Sequence, residues 1–125
     1  MAVPILKQGD VLIASVQDAL ADADLVALRD DLLESVGRFR SRGVIVDVTV
    51  LDVLDSFSCL TLRELVEMVR LKGAVTVVAG IQPEVAFAMV QLGLTLGETA
   101  TVLDLEEALV YLDDHAEKSR RAYAR

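Results

Sequence analysis

The side chains able to do chemistry concentrate in one segment, Asp47-Val48-Thr49-Val50-Leu51-Asp52-Val53-Leu54-Asp55-Ser56-Phe57. It leads from the carboxyl end of a β-branched run into the start of an amphipathic one, and sites in open α/β sheets form at that edge. A serine at or beside a helix N-cap exposes its hydroxyl next to unpaired backbone N–H groups and the positive end of the helix dipole, where a phosphate is tolerated. Phosphorylation of Ser56 would add about 1.5 to 2 negative charges. With Asp52 and Asp55 close by, that charge raises repulsion within the loop and against any partner docked there. The expected consequence is a change in binding with little change in fold. Read on spacing alone, Asp-Ser before an apolar helix is also an ordinary capping sequence. Ser58 is the second-choice acceptor, because a hydroxyl inside the first helical turn is less free.

Other chemistries find less support. A phosphoacceptor receiver domain needs an acidic pair after its first strand and a lysine after its fifth; here Asp10 falls in a hairpin turn and no lysine follows Thr101-Val102-Leu103. Asp47, Asp52 and Asp55 lack a fourth carboxylate or a histidine nearby in sequence, so solvated or capping roles are expected and no metal site. His115, the single histidine, stands beside Asp113 and Asp114 near the chain end and is expected at the surface, away from any Ser/His/Asp triad with Ser56. No Walker-type or Gly-x-Gly-x-x-Gly sequence occurs, so no nucleotide cofactor is expected. Cys59, the only cysteine, excludes an internal disulfide, fits a reducing cytoplasm, and is read as a small core residue.

The elements that must position this segment can be read from the pattern around it. With 125 residues, 54% hydrophobic and 26% charged, the chain suits one packed domain. Aromatics make up 4% and tryptophan is absent, which leaves the aliphatic core usual for a sheet buried on both faces. The net charge of −8 opposes nucleic acid and anionic membrane as partners. Charged residues recur too often for a membrane span, and Met1 to Lys7 has no long apolar leader. Lys118, Arg120, Arg121 and Arg125 leave eight basic against twenty acidic groups over residues 1–117. Residues 3–116 therefore read as a single domain and 117–125 as a basic C-terminal tail, whose ordinary role is a solvated helix end.

Ile5–Lys7 and Val11–Val16 flank Gln8-Gly9-Asp10 and predict a β-hairpin. Leu25, Leu28, Leu32, Val36 and Phe39 give an amphipathic helix from Asp22 to about Arg42, ended by Gly43. Val44–Val48 reads as the central strand. A second helix runs from Ser56 to Lys72 with Gly73 as its stop, using Leu60, Leu62, Leu65, Met68, Val69 and Leu71. Val75–Ala79 is a further buried strand. Pro83 then opens a third helix with Val85, Ala86, Met89 and Val90 on its apolar face and Gly93 as its end. Thr101–Leu103 and a helix from Asp104 or Leu105 to about Ala116 complete the order ββαβαβαβα, a mixed sheet with packed helices.

This order and the Asp55-Ser56 step resemble the STAS family, the sulfate-transporter and anti-sigma-factor-antagonist domain, over about Val3 to Ala116. Within it, Val46 to Phe57, Gly80-Ile81-Gln82-Pro83-Glu84-Val85-Ala86 and Leu92-Gly93 look most like the small scaffold subunits of the bacterial stressosome. Asp55-Ser56-Phe57-Ser58 departs from the Asp-Ser-Ser-Gly usual in anti-anti-sigma factors of the SpoIIAA and RsbV type. The resemblance implies a non-enzymatic scaffold, without cofactor, that sequesters an RsbT-type serine kinase and releases it when Ser56 is phosphorylated, with an RsbX-like phosphatase as reset. It also implies homo- or hetero-oligomeric assembly with RsbR-type STAS paralogues, and Asp52, Asp55, Ser56 and Phe57 as partner-binding residues. The alternative it leaves open is an anti-anti-sigma factor that binds an anti-sigma kinase.

Overall fold

The computed structural model describes residues 3–123. Its elements follow the expected order: β1 (Ile5–Gln8), β2 (Val11–Ser15), α1 (Asp22–Phe39), β3 (Gly43–Asp47), α2 (Ser56–Leu71), β4 (Val75–Ala79), α3 (Pro83–Gln91), β5 (Ala100–Val102) and α4 (Leu105–Tyr123). They build one five-stranded sheet in the order β1-β2-β3-β4-β5, antiparallel between β1 and β2 and parallel thereafter. The hairpin turns through Gly9, which takes the positive φ of +61° that a tight turn favours in glycine.

The inner strands are apolar apart from Ser15, Asp47 and Thr76, because both of their faces are covered. Leu12, Ala14, Val44, Val46 and Val78 point to the side packed by α1, α2 and α3. Val11, Ile13, Ile45, Val77 and Ala79 point to the other side, where Ala108 and Leu112 of α4 meet them. β3 is the middle strand, as its sequence predicts.

Five details differ from the sequence reading. Helix α1 stops at Phe39, three residues early, with Arg40 in the left-handed region at φ 51° as its C-cap. Gly43 is not the terminator; it opens β3, where an added Cβ would lie 2.7 Å from Leu112 Cδ1, so its small size admits α4. Phe39 is turned outward beneath Lys7 and Arg38, whose cations lie 5.8 and 5.3 Å from its ring centroid.

The apolar faces of α2 and α3 are also narrower than read. Cys59, Leu62, Leu65 and Val69 are buried, but Leu60 and Leu71 face solvent; on α3 Val85 and Met89 are buried while Ala86 and Val90 are not. Helix α4 continues past Ala116 to Tyr123, carrying Lys118, Arg120 and Arg121 on helix. Arg121 pairs with Glu117 one turn back at 3.0 Å, the spacing that supports an exposed helix. Arg125 lies outside the described residues.

Gly73 and Gly93 do end α2 and α3. Both have positive φ, and the amides that follow them turn back to the helix ends, Ala74 N to Val69 O and Leu94 N to Met89 O.

Candidate functional site

Residues 48–55 connect the carboxyl end of β3 to α2, and side chains at both ends hold the loop. Asp47 Oδ1 accepts hydrogen bonds from the backbone N–H of Thr49, at 3.0 Å, and from the Thr49 hydroxyl. Gln82, at the mouth of α3, donates from Nε2 to the Thr49 carbonyl at 2.7 Å. Gly80 lets the two loops close on each other. At φ +83° it takes a backbone conformation that L side chains rarely adopt, and a Cβ there would sit 1.9 Å from Thr49 Oγ1. Further along, Leu54 is buried in the core and Leu51 packs partly against it.

Asp55 is the N-cap of α2. Its Oδ1 accepts from Ser58 N at 2.8 Å, satisfying one of the four orphan N–H groups of the helix start. Hydrogen bonds from the Ser58 backbone and side chain hold the Asp55 carboxyl below its ordinary value of 3.8.

Ser56 is therefore the first helical residue, directly after the cap. It is exposed, and its hydroxyl makes no hydrogen bond to any described residue. The helix start is capped by its neighbour, so the hydroxyl is not spent on structure. Ser58 is half-buried and engaged with Asp55, which makes it the less available of the two acceptors.

Of the residues read as partner-binding, Asp52, Asp55 and Ser56 are exposed and share one side of an open groove of about 380 Å³, faced across by Val85, Ala88, Leu92 and Leu94. Phe57 is half-buried and packs on the core. Phe87, Val90 and Leu92 extend the exposed apolar surface along α3.

Cys59 and His115 lie where the sequence expects them, in the core and at the surface. Cys59 is buried, and burial, then the Asp55 charge, pushes its thiol up from 9.0, away from nucleophilic thiolate. Asp47 and Asp55 are spent on Thr49 and on the α2 cap, and among the described residues no three His, Cys, Asp or Glu side chains converge as a metal site requires. His115 is exposed and stacked on Tyr111, on the helix that covers the opposite face of the sheet, beside Gly73 and Val75 at the amino ends of the strands. The sheet separates it from Ser56.

Sequence reasoning missed two sets of residues. Thr49 and Gln82 fix the loop, and only the polar Gln82 directly before Pro83 could have signalled it. Arg42, read as the end of α1, instead joins three elements: it reaches Asp10 at 2.8 Å, Asp113 at 2.7 Å and the Leu112 carbonyl at 2.9 Å. Partners 32 and 71 residues away leave no local signal.

A single mixed sheet in this strand order, with helices on both faces and an exposed serine on the first turn behind its middle strand, defines a small α/β domain of the STAS class. The STAS domain model matches residues 2–108, and the chain belongs to that family. A serine-to-glutamate variant of Moorella thermoacetica RsbS is similar in structure, with 30% identity, 92% of this chain and 97% of that one covered, and a TM-score of 0.80. A chain from the molecular architecture of the stressosome, described as a signal integration and transduction hub, is 29% identical over 90% of this chain and 98% of its own, with a TM-score of 0.73. In sequence the chain is 34% identical over 82 residues to the RsbT co-antagonist protein RsbRA of Bacillus subtilis, covering 66% of this chain and 30% of that protein's length. The chain is thus a STAS protein related to the stressosome components RsbS and RsbR, as the resemblance in its sequence implies. Among the described residues no helix is long and apolar enough to cross a membrane.

Proposed function

We propose that this chain is a non-enzymatic core scaffold of a cytoplasmic stressosome, which sequesters an RsbT-type switch serine kinase and lets it go when Ser56 is phosphorylated. The observation that carries the reading is the exposed Ser56 hydroxyl, first in α2, with the cap supplied by Asp55. A phosphate there meets the remaining N–H groups of the first turn and the positive end of the helix dipole, so the fold tolerates it. A partner seated on the adjoining groove meets about two extra charges beside Asp52 and Asp55 and is repelled. RsbR-type STAS paralogues are the co-assembling partners and an RsbX-like phosphatase the reset, supported by the likeness to RsbS, to a stressosome chain and to RsbRA.

Incubation with an RsbT-type kinase and ATP, followed by mass spectrometry, is expected to find one phosphate at Ser56 and none in Ser56→Ala. Incorporation that persists in Ser56→Ala moves the switch to Ser58 or Thr49 and overturns the assignment. An anti-anti-sigma factor that binds an anti-sigma kinase would remain a small species when mixed with a sensory STAS paralogue, whereas the scaffold enters a large particle.

A further inference from the structure

Directly beneath the α2 cap, and on the other side of the 48–55 loop from the groove beside Ser56, lies a second, smaller cavity of about 110 Å³. Its floor is made by Val46 of β3, by Val16 and Val48 directly after β2 and β3, and by Leu25 and Leu62 of α1 and α2, all buried. Exposed Ala19 and Val53 at the margin, with Asp55, place its mouth between the β2–α1 and β3–α2 loops. Among the described residues, Asp55 and Ser58 are the only polar ones that line it.

The aliphatic floor offers water few side-chain partners. A buried water needs two to four polar partners. Here the two polar side chains, Asp55 and Ser58, sit at one end, and Asp55 Oδ1 accepts from the Ser58 amide. A closed apolar cavity of about 150 Å³ admits benzene or xenon; this one shares the aliphatic lining but opens between two loops. The rim selects against anions, because any carboxylate or phosphate entering the mouth meets the ionised Asp55. A neutral molecule, or one ending in a hydrogen-bond donor, suffers no such repulsion.

We infer that this cavity is a binding site for a small, uncharged apolar molecule, seated between sheet, α1 and α2 under the switch loop. Its occupant touches Val53 and Leu54 of that loop and lies against the cap of the helix that begins with Ser56. Binding therefore braces the backbone that presents the serine. The site requires neither the kinase nor the phosphorylation, so its existence and the switch stand or fall separately.

Benzene titrated into the full chain, followed by methyl and amide NMR, tests it. Saturable shifts are expected at Leu25, Leu62 and Val46 methyls and at the Ser58 amide. Ala19→Phe, which plugs the mouth, and Val16→Leu, which fills the floor, should each abolish them while the unliganded fold is retained; using both guards against one variant failing to fold. Benzoate should bind at least about tenfold more weakly than benzene, through the cost of bringing its charge to an apolar site beside Asp55. Absence of saturable shifts in the unsubstituted chain, shifts that survive both substitutions in folded protein, or equal binding of benzoate would each overturn the inference.

Discussion

At the scale of single residues, the division of labour between Asp55 and Ser56 makes the site usable. Asp55 caps the helix, so the hydroxyl beside it is left unengaged. Asp55→Ala should cost about 1 kcal/mol of stability at neutral pH, the usual worth of an N-cap, measured by urea unfolding. Asp55→Asn should cost little, since asparagine caps as well. The folded carboxyl titrates below its ordinary value of 3.8, so its contribution is complete above that value and is lost as pH falls through the folded pKa. The stability difference between the native chain and Asp55→Ala should therefore be full at pH 7 and shrink in acid, whereas Asp55→Asn shows no such loss from this position. Gly80 is a second point of exact fit. Gly80→Ala sets a methyl on Thr49 and forces φ +83° on an alanine, and should cost more than about 1 kcal/mol. Adding Thr49→Ala should recover only part, because the backbone strain at position 80 remains.

At the scale of elements, α4 is, among the described residues, the sole cover of one face of the sheet, and its seat depends on the absence of a side chain at Gly43. Gly43→Ala should destabilise, and the loss should be less than additive with Leu112→Ala, since both act on one contact; a thermal-unfolding double-mutant cycle measures the coupling. The same contact shows what the sequence makes legible. Element order, the buried strands and the start of α2 were all readable, because Val44–Val48 and Val75–Ala79 are uninterrupted β-branched runs and Gly73, Pro83 and Gly93 punctuate the helices. Gly43 was misread because a glycine after an amphipathic run looks like a helix stop, while its actual reason, Leu112, lies far along the chain. Phe39, Ala86 and Val90 fit an apolar period but point outward, since α1 and α3 bury only a narrow stripe. The end of α4 was set too early because the charges after Ala116 resemble a helix terminus; Glu117 and Arg121 instead continue it. At the site, Ser56 and Asp55 were legible as neighbours in sequence. The Thr49–Gln82 bond was not, because it joins two loops through the fold.

At the scale of the whole molecule, each helix follows a strand, so all four amino ends gather at one edge of the sheet. Asp22, Glu84, Glu106 and Glu107 occupy first turns there, with Asp55 as cap, while Arg38, Arg70, Arg120 and Arg121 occupy last turns at the other end. This suits the helix dipoles and leaves Ser56 on an acidic pole, where a phosphate changes the charge a partner meets more than it changes the fold. Arg42 ties the basic pole together through Asp10 and Asp113. Arg42→Ala should cost roughly 1 kcal/mol or less, as partly exposed ion pairs do, and should leave phosphorylation of Ser56 unaltered. The central claim is release of a sequestered kinase by phosphorylation at this pole, and the most direct measurement is co-elution of the chain with an RsbT-type kinase in size-exclusion chromatography, with and without ATP. The kinase should travel with the unmodified chain, separate from it once ATP has been added, and stay with Ser56→Ala under both conditions; release from Ser56→Ala on adding ATP, or co-elution undisturbed by a phosphate on Ser56, would contradict the account.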